Sequence, residues 1–320
     1  MQLKTVIPAT LLAATATAQQ VVIETIEGYV FEHSGPKDAA PQATYEIRGL
    51  KTANELLKTR MGLDPSTSDD LTELRDENRR LKAEYDADGL LELLAPDITS
   101  ADAFWQDVIK GSTPGSWVSA DARGAAFLPN LTALAFAAWS QSPLADEANN
   151  DVNGEHYFKR TVTKGRGVLA SEILEGWGGV TTLFTIPDYA SPPNRLQFPF
   201  LRLLPGFPFQ AAGSKVLEDD SQFGALHISS RDIVGEAGKH GIEIYSTVWY
   251  GDAAEDDFLE AERQHMVTEI VKLSIQAQKD VESGRFTVPS MWEYSKAAGE
   301  GSIHKAEPFG LEAQFALGSN

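Results

Sequence analysis

The 320-residue sequence has no cysteine. That excludes disulfide staples, thiol nucleophiles, thiolate metal sites and haem-thiolate chemistry, and leaves core packing to hold the fold together. Histidine is scarce, at six residues, and methionine scarcer, at four. Basic residues are outnumbered, 27 Lys and Arg against 46 Asp and Glu, for a net charge of −19. Such a surface repels nucleic acid and anionic lipid, so neither is expected as a partner. Long apolar runs are missing as well. Val6 to Ala14 and Leu131 to Ser140 are apolar but too short to span a bilayer. There is no HExxH, no G-x-S-x-G, no P-loop and no G-x-G-x-x-G, so the common zinc-protease, hydrolase and nucleotide signatures are absent.

What is present begins with Met1 to Ala18. Lys4 gives a positive start, Val6 to Ala14 an apolar centre, and Ala16-Thr17-Ala18 the small residues of a cleavage site. This order predicts a secretory signal peptide and a mature chain starting at Gln19. A short Ala/Thr-rich leader before an acidic chain suits a fungal secretome. Asn130-Leu131-Thr132 is the one glycosylation sequon, set at the start of an expected helix.

Gln20 to Ile23 reads as a short strand, and Thr44 to Arg123 as mostly helical. Leu71 to Tyr85 carries dense charge around Leu71, Leu74 and Leu81, a solvated helix with a narrow apolar stripe. Ser100 or Asp102 is expected to cap a helix through Trp105. From Glu155 the pattern alternates. Ala170 to Trp177 and Val180 to Ile186 flank Gly178-Gly179, a hairpin signal. Ser191 to Pro208 is a loop rich in Pro and Phe, too proline-dense for a regular strand. Gly224 to Val234 and Gly241 to Tyr250 are two further strands. Glu255 to Ser283 is a long helix with a stripe of Leu259, Met266, Val267, Ile270, Leu273, Ala277 and Val281 at helical spacing.

This order predicts an α+β fold: a curved antiparallel β-sheet gripping a long C-terminal helix, with an added N-terminal helical region. The expected division is 1–18 signal peptide, 19–115 helical region, 116–284 sheet-and-helix domain, and 285–320 irregular tail. From Ser116 to Gly284 the element order resembles the helix-grip fold of the START/polyketide-cyclase (SRPBCC) superfamily. The resemblance implies a chamber for a hydrophobic small molecule, used for carriage, cyclisation, dehydration or isomerisation. It brings no motif from which a catalytic residue can be carried over.

Candidate chemistry therefore comes from the residues. His227 and Arg231 share one face of their strand, and Glu243, Tyr245 and Trp249 share one face of the next. Facing a chamber, His227 would be the base, with Arg231, Glu243 and Tyr245 as polarising groups. Facing outward, they would be solvated polar residues of a one-sided sheet. Glu175 and Trp177 share a face with Glu172 opposite, and a carboxyl against an indole can act as an acid. A surface Glu near a turn is the competing reading. Tyr189, Arg195, Phe200 and Arg202 in the proline loop, with Trp177 and Trp249, are the expected ligand contacts. Glu262-Arg263-Gln264-His265 fits E-x-x-H, but no second copy exists, so no metal and no cofactor is expected. The functional expectation is a secreted, cofactor-independent cyclase, dehydratase or isomerase acting on a natural-product intermediate. A secreted carrier of hydrophobic ligands and a surface interaction protein remain the alternatives.

Overall fold

A computed structural model describes residues 20–65, 67–164 and 168–299. The expected signal peptide and the last part of the tail lie outside the described residues. The chain opens with a hairpin, β1 (Val22–Ile26) and β2 (Tyr29–Ser34), followed by α1 (Gln42–Met61), α2 (Leu71–Ala83) and α3 (Ala87–Gly111). Then come β3 (Trp117–Ala126), α4 (Ala133–Trp139) and α5 (Pro143–Val152). The strands β4 (His156–Lys164), β5 (Val168–Trp177), β6 (Val180–Ile186), β7 (Phe209–Val216), β8 (Gln222–Val234) and β9 (His240–Gly251) follow in succession. The long helix α6 (Asp256–Glu282) and a short α7 (Met291–Gly299) complete the described chain.

All nine strands form one antiparallel sheet in the order β1-β2-β3-β9-β8-β7-β6-β5-β4. Its concave face holds α6. Ser246 donates to the Met266 sulfur, and the Tyr250 hydroxyl donates to Glu262. From β3 to α6 the order is strand, two helices, six strands, helix, which is the helix-grip arrangement. The β1–β2 hairpin extends the sheet beyond β3, α1 packs on α2 and α6, and α3 packs on β6. Glu46 on α1 binds Arg75 of α2 and Lys272 of α6. Trp105 of α3 donates to Thr182 of β6.

Three local departures from the sequence reading have simple causes. The helix expected to begin at Ser100 or Asp102 begins at Ala87, because Asp86 accepts the Gly89 N–H and caps it. Pro96 is accommodated inside that helix. The chain after Pro208 turns back into a strand, β7, once prolines stop. The tail expected to be irregular from 285 contains α7. Gly178 and Gly179, with φ of +58° and +80°, make the expected β5–β6 turn, since both central residues of such a turn need positive φ. Asn130 sits in an exposed turn before α4 and donates to Glu282 at 2.9 Å, while Thr132 caps α4.

The sheet is not uniform. β6 and β7 share one pairing among the described residues, Thr185 with Val216. The proline loop leaves the sheet at this seam and returns to bridge Ala190 with Ala212. At the other end, Gly35 ends β2 at φ +135°, and a Cβ there would overlap the Asp121 carbonyl oxygen. Gly35→Ala is expected to cost about 2 kcal/mol from overlap and strained backbone. A lowered thermal midpoint would show it, and an unchanged midpoint would contradict this packing.

Candidate functional site

Between the concave face, α5 and α6 lies a cavity of about 120 Å³. Phe136, Trp139, Ile173, Phe184, Leu226 and Leu273 make its apolar wall. Its polar end gathers His156 of β4, Glu175 of β5, Lys215 of β7, and Glu262, His265 and Glu269 of α6, with Lys159 of β4 also on the lining. An apolar chamber with convergent ionisable groups at one end is the usual form of a small-molecule site.

Each side chain is placed by its element. Glu262, His265 and Glu269 stand at i, i+3 and i+7, one face of α6. Glu175 points inward from β5, and Lys215 reaches it from β7 at 3.1 Å. The Lys215 ammonium lies 4.5 Å from the Trp177 ring and 4.4 Å from the Phe184 ring, so aromatic faces replace part of its lost hydration. The His156 ring stacks on His265 with centroids 5.4 Å apart, and Trp177 stacks on the other side of His265 at 5.5 Å. His156 Nε2 is 2.6 Å from Glu175 Oε2 and 3.3 Å from Glu269 Oε1. His265 Nδ1 is 2.9 Å from Glu155 Oε2. The carboxylate only accepts, so Nδ1 carries the proton.

The cluster holds charges that burial alone would remove. Burial raises the Glu175 carboxyl, but Lys215 above all, then His156 and His265, outweigh it and hold it well below the ordinary carboxylate range. Burial disfavours the His265 cation, yet Glu155, Glu269 and Glu175 together lift its pKa to about 10. Glu262 moves the other way: burial, with the nearby Glu175 charge, raises it despite Lys215 and His265. The site thus combines a carboxylate, an imidazolium and an acid that tends to keep its proton.

The expected site residues fall on the opposite face. His227, Arg231, Glu243 and Tyr245 do share one face of β8 and β9, but it is the convex one, and none of them lines the chamber. Much of that face is covered. The proline loop packs Phe198 and Leu201 onto Ala212 and Ala225, with Phe200 stacked on Trp117 at 4.4 Å and tilted on Trp249 at 5.4 Å. Beneath it, Glu243 is buried as a bridge between Arg123 and Arg231, the latter at 2.5 Å. His227 contacts Ser229 at 3.2 Å. Among the expected ligand contacts, Tyr189 lines the chamber and Trp177 stacks beside it. Phe200 and Trp249 are on the convex face, and Arg195 and Arg202 are exposed. Glu172 lies outside, paired with Arg160 at 2.6 Å. Glu175, competing as a surface residue, is buried.

Sequence reasoning missed His156 because β4 carries a bulge between His156 and Phe158. Strict alternation separates His156 from Lys159. The bulge brings both to the chamber while Tyr157 and Phe158 pack against α1 and α3. A signal for the α6 residues did exist: the Glu-His-Glu row runs beside the apolar stripe, where a buried polar residue requires partners.

No protein-family model matches the chain, and no curated protein matches it in sequence. Solved structures do. Ara h 8.0201 is similar at 11% identity and TM-score 0.31, over 52% of this chain and 99% of its own. Norcoclaurine synthase from Thalictrum is similar at 8% identity and TM-score 0.31, over 53% and 96%. An aromatase/cyclase from Streptomyces is similar at 13% identity and TM-score 0.30, over 52% and 95%. Among the described residues no helix is long and apolar enough to cross a membrane.

Proposed function

We propose that this is a secreted protein that moves protons on a small hydrophobic molecule held in the chamber, in a cyclisation, dehydration or isomerisation. The observation that carries this reading is the buried cluster at the polar end of an otherwise apolar cavity. His156 lines the chamber, with Nε2 2.6 Å from Glu175 and 3.3 Å from Glu269, so His156 is the group placed to exchange a proton with a bound molecule. The Lys215 ammonium and the His265 imidazolium face the place where negative charge would develop, and Glu262 is the group suited to return a proton. Cavity size sets the ligand: a void of about 150 Å³ accepts a benzene ring, so a molecule of about one ring fits and a fused polycycle does not. Secretion rests on the Met1 to Ala18 pattern.

The test is native mass spectrometry of the protein from its own host, with the bound molecule extracted and followed by chromatography during incubation. The expected result is a small apolar compound that the protein converts. His156→Asn should retain the compound but turn it over about 10²- to 10⁴-fold more slowly. Full turnover in that variant would overturn the assignment. A compound bound tightly and recovered unchanged would favour a carrier, a role the same apolar wall would serve.

A further inference from the structure

The polar end of the chamber has one property that an ion-pair network does not explain. His156 is 2% exposed and His265 3%, and both ring nitrogens of His156 lack a hydrogen bond. His156 Nε2 lies between two carboxylates, 2.6 Å from Glu175 Oε2 and 3.3 Å from Glu269 Oε1. On His265, Nδ1 is committed to Glu155, which leaves Nε2 facing Glu175 Oε2 at 3.9 Å and Glu269 Oε2 at 4.0 Å. Those separations are too long for hydrogen bonds. Two imidazoles and two carboxylates thus bring polar atoms to one small region, the arrangement of ligands around a common cation.

We infer that His156, His265 and Glu269 form a site for a divalent first-row transition-metal ion, with Glu175 Oε2 beside it. One donor atom from each of the three lies within 4.8 Å of the others. A tetrahedral zinc ion with ligands at about 2.1 Å separates its donors by roughly 3.4 Å. The His156 to Glu269 distance, 3.3 Å, already matches, and the others need only small side-chain movements. Two imidazoles and a carboxylate favour zinc, iron or cobalt over magnesium or calcium. Glu155 supplies the outer-shell acceptor that fixes the His265 tautomer with Nε2 free to coordinate, as carboxylates do behind metal-binding histidines. The fourth position opens toward the chamber, where a substrate oxygen would meet the ion. In the metal-loaded protein both imidazole Nε2 lone pairs would be taken by the ion, which would then meet the developing charge in place of His156 and His265; that use rests on the proposed function, whereas ion binding stands on the geometry alone.

The experiment uses the full chain after chelator treatment, with Zn²⁺ and Co²⁺ as probes and no substrate. Calorimetry is expected to show one saturable ion per chain. X-ray absorption of the zinc-loaded protein should count two imidazoles, a result that needs no variant to fold. His156→Ala and Glu269→Gln should weaken binding at least tenfold, and Glu155→Gln by about 10- to 100-fold. Absent saturable binding, zinc without imidazole ligands, or affinity unchanged in both ligand variants would each overturn the site. The two readings fail separately: absent saturable binding in a protein that converts its ligand sinks the metal site alone, and an ion bound at this site beside an unconverted ligand sinks the proton-transfer reading alone.

Discussion

Lys215→Met is expected to destabilise the protein by about 3 to 5 kcal/mol at neutral pH, the usual cost of breaking a buried ion pair from one side. Methionine keeps much of the volume and can lie between Trp177 and Phe184, so the cost is electrostatic rather than a cavity. Lys215 is the leading counter-charge of Glu175 and also reaches the Tyr250 hydroxyl at 3.4 Å. Without it, Glu175 and Glu262 share the low-dielectric interior with the His265 imidazolium as a remaining cation. Lys215→Met combined with Glu175→Leu should recover more than half of the loss, because removing both partners avoids an uncompensated charge. Urea denaturation of the two variants and the wild type measures both terms. A loss below about 1 kcal/mol for Lys215→Met would show that the ammonium contributes little net stability here.

On the convex face, His227 is expected to make the protein acid-sensitive. Burial under the proline loop depresses its pKa to about 4, with Asp121 opposing only weakly. The unfolded chain would protonate the same ring near pH 6.5. Between those values the unfolded state binds the proton and the folded state does not, so stability falls as the medium is acidified from about pH 6.5 to about pH 4. The loss attributable to His227 by about pH 4.5 is roughly 2 to 3 kcal/mol. His227→Gln removes the titration while offering Ser229 an amide partner. The stability difference between about pH 7 and about pH 4.5 should therefore shrink by that amount in the variant. Equal acid sensitivity in both proteins would show that His227 is not the responsive group.

Strand and helix patterning made the fold legible from the sequence. Alternation on β8 and β9, the Gly178-Gly179 turn and the stripe of α6 each follow from local geometry, and their order alone gives a sheet closed on a helix. Glu172 and Glu175 lie on opposite faces, as their spacing of three positions requires. The site was less legible, for two physical reasons. Alternation says which residues share a face but not which face is concave, so His227, Arg231, Glu243 and Tyr245 were grouped correctly and expected inside. Polar residues on a sheet also suggest water, whereas here a proline loop covers them. The true cluster draws on β4, β5, β7 and α6, elements separated by up to about a hundred residues, and depends on a bulge that no residue of β4 announces. Lys215 sits on a strand that begins directly after the proline-rich stretch, where strand signals are masked.

The single Thr185–Val216 pairing divides the sheet mechanically. β4 to β6 form one leaf and β7 to β9 with β3 the other, and the backbone barely stitches them together. His156 and Glu175 belong to the first leaf and Lys215 to the second, so the 3.1 Å Glu175–Lys215 contact acts as a clasp across the joint. A molecule in the cavity meets both ends of that clasp, since Glu175 and Lys215 line it together. The same two side chains thus shape the ligand's surroundings and join the leaves, so filling the chamber and holding the sheet together draw on one contact.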